Sequence, residues 1–329
     1  MLTIDEALSA QTVVWGTDNV FKKFEINKGD VDSVWGRAHK IVEGTYKTGA
    51  QEQLYIENNG MVARASPLGG VTVWGSMQCP YYVHKALISV FGLKPDQVRV
   101  VQSETGGGFG GKEDYPSLLA SHAALLAWKS GRTVKMIYDR AEDLAATTKR
   151  HPSVSKVKSA WDQKGRLLAL DFDFTLDGGA YLTLSPVVLS RGTIHAAGPY
   201  FCENVRVRSR AVATNTPPNG AFRGFGAPQS IFAMERHLDD AASALNLDPI
   251  AIRKRNFIRK GQTTATGQVI REKVDLAGLL DRAVVKSKFV QKRKRYLREN
   301  KKGTVKRGIG VASFMHGAGF TGSGEAYLE

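Results

Sequence analysis

The sequence has few cysteines and lacks any long uninterrupted run of apolar residues. Its 329 residues include only Cys79 and Cys202, which are too few for a disulfide framework, a four-cysteine zinc site or a self-contained iron–sulfur cluster. No stretch approaches the roughly 18 apolar residues of a membrane-spanning helix. The first residues, MLTIDEALSA, have neither the basic start nor the apolar stretch of a secretory signal peptide. We therefore expect a cytoplasmic protein that does not associate with membranes.

The overall composition is that of a folded globular chain. Hydrophobic residues make up 42% of the sequence and charged residues 23%, which argues against an intrinsically disordered polypeptide. A chain of this length forms one large domain or two modest ones, and it can bury a substantial core.

Positive charge is concentrated towards the end of the sequence. The chain has 46 Lys and Arg against 31 Asp and Glu, a formal net charge of +15. Eleven Lys or Arg and a single acid, Glu299, fall between Lys286 and Arg307. Such a stretch can bind nucleic acid or an anionic surface, form the solvated face of a helix, or dock an acidic partner subunit. Only Phe289 and Tyr296 are interleaved with it and no nucleic-acid-binding motif is present, so we do not expect nucleic acid as a partner.

The spacing of apolar residues predicts a mixture of helices and strands. Helices are predicted at Pro80–Phe91 and Ser117–Lys129, each followed closely by a glycine, and at Gln229–Leu247, whose apolar residues share one face. Asp248 and Pro249 are typical of a further helix N-terminus. Strands are predicted at Gly70–Met77, Gln97–Ser103, Thr133–Asp139, Ser153–Trp161, Leu167–Leu176 and Val205–Thr214. This irregular order of elements favours the α+β class over a strict βαβ alternation.

The most informative segment is the glycine-rich turn QSETGGGFGGKED at 102–114, between a predicted strand and a predicted helix. Glycine lets backbone N–H groups approach a ligand closely because no Cβ intervenes. The letters from Gly106 to Lys112 match both the dinucleotide-binding pattern G-x-G-x-x-G and the P-loop pattern G-x-x-x-x-G-K. However, a P-loop needs Ser or Thr where Glu113 stands, and the acid that a dinucleotide fold places about twenty residues on is missing. A non-catalytic nucleotide- or anion-binding module is therefore only an alternative.

A second loop, NGAFRGFGAPQ at 219–229, repeats the Gly-Phe-Gly unit just before a predicted helix. Two such turns, separated by more than a hundred residues, suggest two loops that close on one flat ligand. In that arrangement Phe225 stacks on a ring while backbone amides of the glycines face polar atoms. We therefore predict that the two loops meet at a single site.

These motifs closely resemble the molybdopterin-binding subunit of the xanthine oxidase family of molybdenum hydroxylases. The resemblance rests on GGGFGGKE, AFRGFGAPQ, the Gln of GSMQ, GTYKTGAQEQLYIEN, HPSVSKVK and NFIRKG, and it runs over nearly the whole chain. It implies an α+β molybdenum-cofactor-binding domain of mixed sheets and packed helices. It also implies a tail of the preceding α/β-hammerhead domain at 1–40, a first molybdopterin-binding domain at 41–285, and a basic connector at 286–329 towards a second cofactor-binding domain.

The resemblance assigns the cofactor contacts to both glycine loops and to GSMQ. Gln78 would donate a hydrogen bond to a ligand of the molybdenum, the first loop would pass beside the metal, and the second would meet the pterin. The implied cofactor-binding residues are Gln78, Gly108, Phe109, Gly110, Phe222 and Arg223. None of them would bind the metal directly, and the pterin would be of the mononucleotide or the cytosine dinucleotide form.

Four further residues would act on the substrate. Glu113 would hydrogen-bond the ring of a purine-like substrate, and Arg191, placed by alignment spacing, would stabilise negative charge that develops on the heterocycle. Phe225 and Phe320 would sandwich an aromatic substrate. Alternatively, Glu113 caps the following helix, and Phe320 is an aromatic residue of the hydrophobic core.

The implied activity is the hydroxylation of an N-heteroaromatic, purine-like compound with water as the source of oxygen. Electrons would pass to FAD through [2Fe-2S] clusters, both on partner subunits. Such chemistry needs a base, stabilisation of an anionic intermediate and a dry slot for the ring. Because the family's general base lies in the second cofactor-binding domain, we expect this chain to be inactive without that domain or subunit. An aldehyde, nicotinate-type or quinoline-type oxidoreductase on the same scaffold is the main alternative, and a protein that keeps the fold without the chemistry is another.

Overall fold

A computed structural model defines the fold of residues 1–316, in which eleven strands and nine α-helices are found. The strands are β1 Val20–Lys28, β2 Lys40–Thr48, β3 Gly60–Ser66, β4 Gly70–Gly75, β5 Val98–Gln102, β6 Val134–Ile137, β7 Lys149–Arg150, β8 Ser153–Trp161, β9 Leu167–Gly179, β10 Asn204–Ala213 and β11 Asn219–Gly220. The helices are α1 Ile4–Ser9, α2 Pro80–Phe91, α3 Pro116–Ser130, α4 Arg140–Ala146, α5 Ser185–His195, α6 Ala227–Ala244, α7 Pro249–Asn256, α8 Leu276–Ser287 and α9 Phe289–Lys302.

The larger sheet has five strands in the order β1-β10-β9-β8-β2. β9 and β10 run parallel, and the other neighbouring strands are antiparallel. Phe172 and Phe174 of β9 alternate with Asp171 and Asp173, so that one face is apolar and the other is charged. α5 and α6 cover the apolar face, and the main hydrophobic core lies between these helices and the sheet.

The smaller sheet has four strands in the order β5-β4-β3-β6. α2 and α3 pack on it and enclose a second core. The buried face of α3 carries mostly alanines, among them Ala120, Ala123 and Ala127. These short side chains allow the helix backbone to approach β3 closely. The first glycine loop therefore connects β5 to a helix that is held firmly against the same sheet.

The α+β prediction is confirmed by this mixture of sheets and packed helices. β8 and α2 have the predicted bounds, and α2 ends at Gly92 in the left-handed conformation. α6 starts two residues earlier than predicted, at Ala227, and ends at Ala244 rather than Leu247. The sequence pattern does not predict β1, β2, β3 or α5.

β1 lies within the first 40 residues, which the sequence assigns to a hammerhead tail. It pairs with β10 from Val20 to Lys28, in the same sheet as β2, β8 and β9. Segment 20–28 is therefore part of the sheet that supports the rest of the fold. The division into 1–40, 41–285 and 286–329 stays a prediction.

A buried arginine joins α6 to α7. The Arg253 side chain is fully buried, and it donates from Nε to Glu235 and from Nη1 to Asp239, both at 2.8 Å. The hydroxyl of Tyr200 also donates to Glu235. The backbone N–H of Ser313 donates to the same carboxylate at 2.9 Å. This network therefore also attaches the extended segment after α9 to the core.

α9 carries much of the basic stretch. Only Phe289 of this helix is buried, and nearly all of its Lys and Arg side chains are exposed. Arg295 pairs with Glu299 one turn later, at 3.4 Å. This arrangement fits the interpretation as a solvated helix face. Among the helices of residues 1–316, none has both the length and the apolar character needed to cross a bilayer.

Candidate functional site

The two Gly-Phe-Gly loops lie directly against each other. The backbone N–H of Arg223 in the second loop donates to the carbonyl oxygen of Phe109 in the first, at 2.9 Å. A Cβ added to Gly110 would lie 2.7 Å from the carbonyl carbon and oxygen of Ala221, which is too close for any side chain. The predicted convergence of the two loops is confirmed.

Both phenylalanines at the centre of these turns adopt a left-handed backbone. The φ angle is 52° at Phe109 and 54° at Phe225, a conformation that costs a non-glycine residue about 1–3 kcal/mol. Gly110 and Gly226, which follow them, also have positive φ, at 99° and 96°. A Cβ on Gly226 would overlap the Val188 carbonyl of α5. The surrounding packing therefore holds both strained turns in place.

Glu57 closes the first loop at its base. Its Oε2 accepts hydrogen bonds from the Gly106 backbone N–H at 2.6 Å and from the Lys112 ammonium at 2.8 Å. Lys112 is fully buried, donates to Ser76 at 3.0 Å, and lies 4.9 Å from the centre of the Tyr55 ring. This lysine is thus a structural residue of the loop and is not available to a phosphate, which removes the main support for a P-loop-like site.

The Gln78 side chain is oriented by the backbone of the first loop. Its Oε1 accepts from the N–H groups of Gly110 and Lys112, at 2.9 and 3.3 Å. Only the oxygen of an amide accepts such bonds, so these two donors fix which end is which. Nε2 is therefore the end that is left to donate. A Cβ on Gly108 would lie 2.8 Å from Cδ of Gln78, which shows how closely the loop packs on it.

A cavity of 370 Å³ lies where the loops meet. Its lining residues are Gln78, Phe109, Gly110, Glu113, Arg191, Phe222, Arg223, Gly224, Phe225 and His316. Eight of these ten are residues that the sequence assigns to cofactor or substrate. Gly108 lies behind Gln78, and Phe320 lies outside the described residues. The sequence does not single out Gly224 or His316.

The second loop is anchored by a residue that the sequence does not single out, Arg150. Its guanidinium lies 4.0 Å from the centre of the Phe222 ring and donates to the Arg223 carbonyl at 2.9 Å and to Gln51 at 2.8 Å. β7 and β11 pair in parallel and bring Arg150 opposite Gly220, at the start of the loop. Burial lowers the pKa of Arg150 to about 10, so the side chain stays charged at neutral pH.

Arg191 projects from α5 and is almost completely buried. His195, one turn later, makes a hydrogen bond from Nδ1 to the Arg191 carbonyl at 2.7 Å. The rings of His195 and His316 stack with their centres 5.0 Å apart. No local pattern in the sequence marks His316 as a site residue. The cavity thus combines a buried cation, a histidine and the Glu113 carboxyl.

The pKa of the Glu113 carboxyl is unusually high. Burial, and secondarily the neighbouring Asp114, raises the pKa of Glu113 to about 7. Burial also raises the pKa of Asp114 to about 6. Glu113 therefore holds a proton over part of the neutral range and can donate a hydrogen bond there. α3 begins after Tyr115 without a side-chain cap, so Glu113 does not serve as its N-cap.

Glu113→Gln is expected to stabilise the chain above pH 7. The folded-state pKa lies above the ordinary 4.5, so the folded chain binds this proton more tightly than the unfolded chain. Stability is therefore lost as the pH rises from 4.5 to about 7, and the loss amounts to about 2 kcal/mol after allowance for partial exposure. Glutamine does not ionise, so the Glu113→Gln variant does not lose this stability as the pH rises. Urea unfolding at several pH values, with the exposed Glu104→Gln as control, should show a difference that disappears below pH 4.5; a constant difference would contradict this explanation.

Both glycine loops fall within a sequence region shared with a known family and with named proteins. The family model described as molybdopterin cofactor-binding domain matches residues 15–257. The nicotinate dehydrogenase large molybdopterin subunit of Eubacterium barkeri is 37% identical over 284 residues, which are 86% of this chain and 66% of that protein. The xanthine dehydrogenase of Emericella nidulans is 33% identical over 327 residues, covering 98% of this chain and 23% of that protein.

A solved structure gives the same result. The aldehyde oxidoreductase of Desulfovibrio gigas superposes with a TM-score of 0.77 at 31% identity, over 86% of this chain and 31% of that one. The chain therefore spans only part of the length of these relatives. The family match covers both glycine loops and the whole of the larger sheet. The chain belongs to the molybdopterin cofactor-binding domain family.

Proposed function

We propose that this chain forms the cofactor- and substrate-binding part of a molybdenum hydroxylase that oxidises N-heteroaromatic, purine-like compounds. The observation that carries the proposal is the presence of Glu113 and Arg191 in one cavity with both phenylalanine-bearing loops. A bound molybdenum–molybdopterin would supply the redox chemistry by which oxygen from water is introduced into a ring carbon. The pterin would be of the mononucleotide or the cytosine dinucleotide form.

The residues of the cavity fit this cofactor. Gly108 and Gly110 allow the first loop to pack closely on Gln78 and on the second loop. The Nε2 atom of Gln78 remains available to donate to the cofactor, because its oxygen already accepts two hydrogen bonds. Arg223 is exposed, and among residues 1–316 no carboxylate pairs with its guanidinium. An anionic metal–pterin group needs such donors and cations. Phe222, held by Arg150, would meet the pterin beside them.

Glu113 and Arg191 are suited to an electron-poor nitrogen ring. A carboxyl with a pKa of about 7 can donate a hydrogen bond to a ring nitrogen or carbonyl oxygen. Arg191 is fixed within α5 and buried, so its charge would stabilise negative charge that builds up on the ring. Phe109 and Phe225 also line the cavity, and the pairing of Phe225 with Phe320 around the substrate stays a proposal.

The complete enzyme would need partners. We propose that a second molybdopterin-binding domain or subunit supplies the general base and further cofactor contacts, and that FAD and [2Fe-2S] subunits take up the electrons. The similarity to a protein named as a large molybdopterin subunit supports an assembly of several subunits. On this proposal the 329 residues alone do not hydroxylate a substrate. We also propose that the assembled enzyme is cytoplasmic.

The proposal is tested with Glu113→Ala in the enzyme assembled with its partners. We expect kcat/KM for purines and other N-heteroaromatics to fall about 100-fold, because removal of one group that stabilises a transition state has effects of this order. Turnover of aromatic aldehydes should change less than about tenfold. Steady-state kinetics on a panel of xanthine, nicotinate, quinoline and benzaldehyde measures both values.

An aldehyde oxidoreductase is the second candidate, because the aldehyde oxidoreductase of D. gigas shares the fold at 31% identity. An aldehyde oxidoreductase would show the opposite preference between aldehydes and nitrogen heterocycles. Efficient aldehyde turnover by the parent enzyme, left unchanged by Glu113→Ala, together with negligible turnover of nitrogen heterocycles, would replace the favoured proposal.

A further inference from the structure

A second cleft lies apart from the cofactor cavity and shares no lining residue with it. Its volume is 840 Å³, against 370 Å³ for the cofactor cavity. The turn between β8 and β9, the segment before β10 and the C-terminal end of α7 form its walls. Five cationic side chains line it: Arg37, Lys164, Arg166, Arg255 and Arg259. We refer to it as the basic cleft.

The cations of the basic cleft lack counter-ions. All five are exposed, and within residues 1–316 none forms an ion pair with a carboxylate. Glu203 is the one acidic residue among the lining residues. Asp162, in the turn that carries Lys164 and Arg166, accepts a hydrogen bond from the backbone N–H of Arg166 at 2.8 Å. With five cations and one carboxylate among its lining residues, the cleft presents a formal excess of four positive charges.

The neutral polar side chains of the cleft are used within the fold. Asn256 accepts from the Leu167 N–H at 2.8 Å and donates to the Gly165 carbonyl at 2.9 Å. Asn204 donates to the Leu168 carbonyl at 2.9 Å. A site for a small metabolite or nucleotide usually orients its ligand with fixed polar groups. Here long, exposed cationic side chains surround a wide concavity, which suits negative charge spread along a chain.

We propose that the basic cleft docks an acidic segment of a partner polypeptide. Such a segment, with several Asp or Glu close together, would neutralise the five cations and be steered to them electrostatically. This inference goes beyond the proposed catalytic function, because no residue of the cofactor cavity takes part.

α9 is the alternative basic surface to which an acidic partner could bind. The two surfaces differ in shape, and the difference favours the basic cleft. Arg293 of α9 lines a smaller cleft of 310 Å³, which also contains the carboxylate of Asp239. The other Lys and Arg side chains of α9, such as Lys294 and Arg298, are mostly exposed and are screened by water and salt. Those of the basic cleft lie around a concavity, and the low-dielectric walls of a cleft concentrate the field of like charges. The cleft is therefore expected to bind an acidic segment more tightly than α9 does.

The test measures binding of a fluorescein-labelled peptide of about ten glutamates to the full chain by fluorescence anisotropy. Arg255→Glu/Arg259→Glu is expected to weaken binding about tenfold or more, since charge reversal turns attraction into repulsion. Lys164→Glu/Arg166→Glu, on another wall of the cleft, should have the same effect and guards against misfolding of either variant. Lys294→Glu/Arg298→Glu on α9 changes the net charge equally and should weaken binding less than about threefold.

Three results would overturn the proposal. One is the absence of peptide binding to the parent chain at low salt. Another is an equal loss in the cleft and α9 variants, which would mean attraction to net charge alone. The third is displacement of the peptide by tripolyphosphate at concentrations below those of unlabelled peptide, which would identify a small-anion site instead.

Discussion

Gly110→Ala is expected to separate the two loops and to reduce retention of the cofactor at least about tenfold. The added Cβ would lie 2.7 Å from the carbonyl atoms of Ala221 and 2.8 Å from the backbone nitrogen of Phe222, and backbone atoms cannot rotate away as a side chain can. The φ of 99° at this position adds strain for any L-residue. Together these effects cost roughly 3 kcal/mol. The distance between the loops must then increase, and Gln78, whose oxygen accepts from the Gly110 N–H, loses its orientation.

The measurement is molybdenum content per chain after purification with the partner subunits, which we expect to fall at least about tenfold. Gly49→Ala is the matched control, since nothing lies within 4 Å of its added Cβ. Retention of the parent's molybdenum by Gly110→Ala would show that contact between the loops does not hold the cofactor.

Arg253→Met is expected to destabilise the chain by about 3–5 kcal/mol, because it leaves the buried Glu235 carboxylate without its cation. It also removes the hydrogen bond from Arg253 to Asp239, which links α7 to α6. Urea unfolding of the variant and the parent gives the difference directly.

The neighbouring residue supplies the control. Lys254 pairs with Asp281 at 2.6 Å, but both side chains are substantially exposed. Lys254→Met should therefore cost less than about 1 kcal/mol. Equal losses from both substitutions would mean that burial of the Arg253 network does not determine its contribution.

The elements that the sequence predicts carry strong local signals. α2 has Pro80 at its first position and Gly92 as its C-cap, and β8 alternates buried residues with less buried ones from Ser153 to Ser159. β3 lacks such a signal, because its inward positions are Met61, Ala63 and Ala65, and alanine is not a typical strand residue. α5 is buried over nearly all of its length, so it shows no amphipathic period.

Residues of the candidate site likewise divide into those with a local sequence signal and those without one. The loops are identifiable because runs of glycine around a phenylalanine are rare and have a conformational reason. Arg191 follows from the resemblance and not from any local pattern. Arg150 and His316 become site residues only through tertiary contacts, with Phe222 and His195 respectively. Positions of this kind depend on how distant segments pack, which one sequence does not encode in a readable pattern.

The pairing of β1 with β10 limits how the chain can be shortened. β10 is hydrogen-bonded on one side to β9 and on the other to β1, from Val205 to Val212. A fragment that starts at residue 41 would leave the N–H and C=O groups along that second side bare. An unprotected strand edge recruits strands from other molecules. Such a fragment would self-associate or aggregate, and a protein engineer would do better to retain Val20–Lys28.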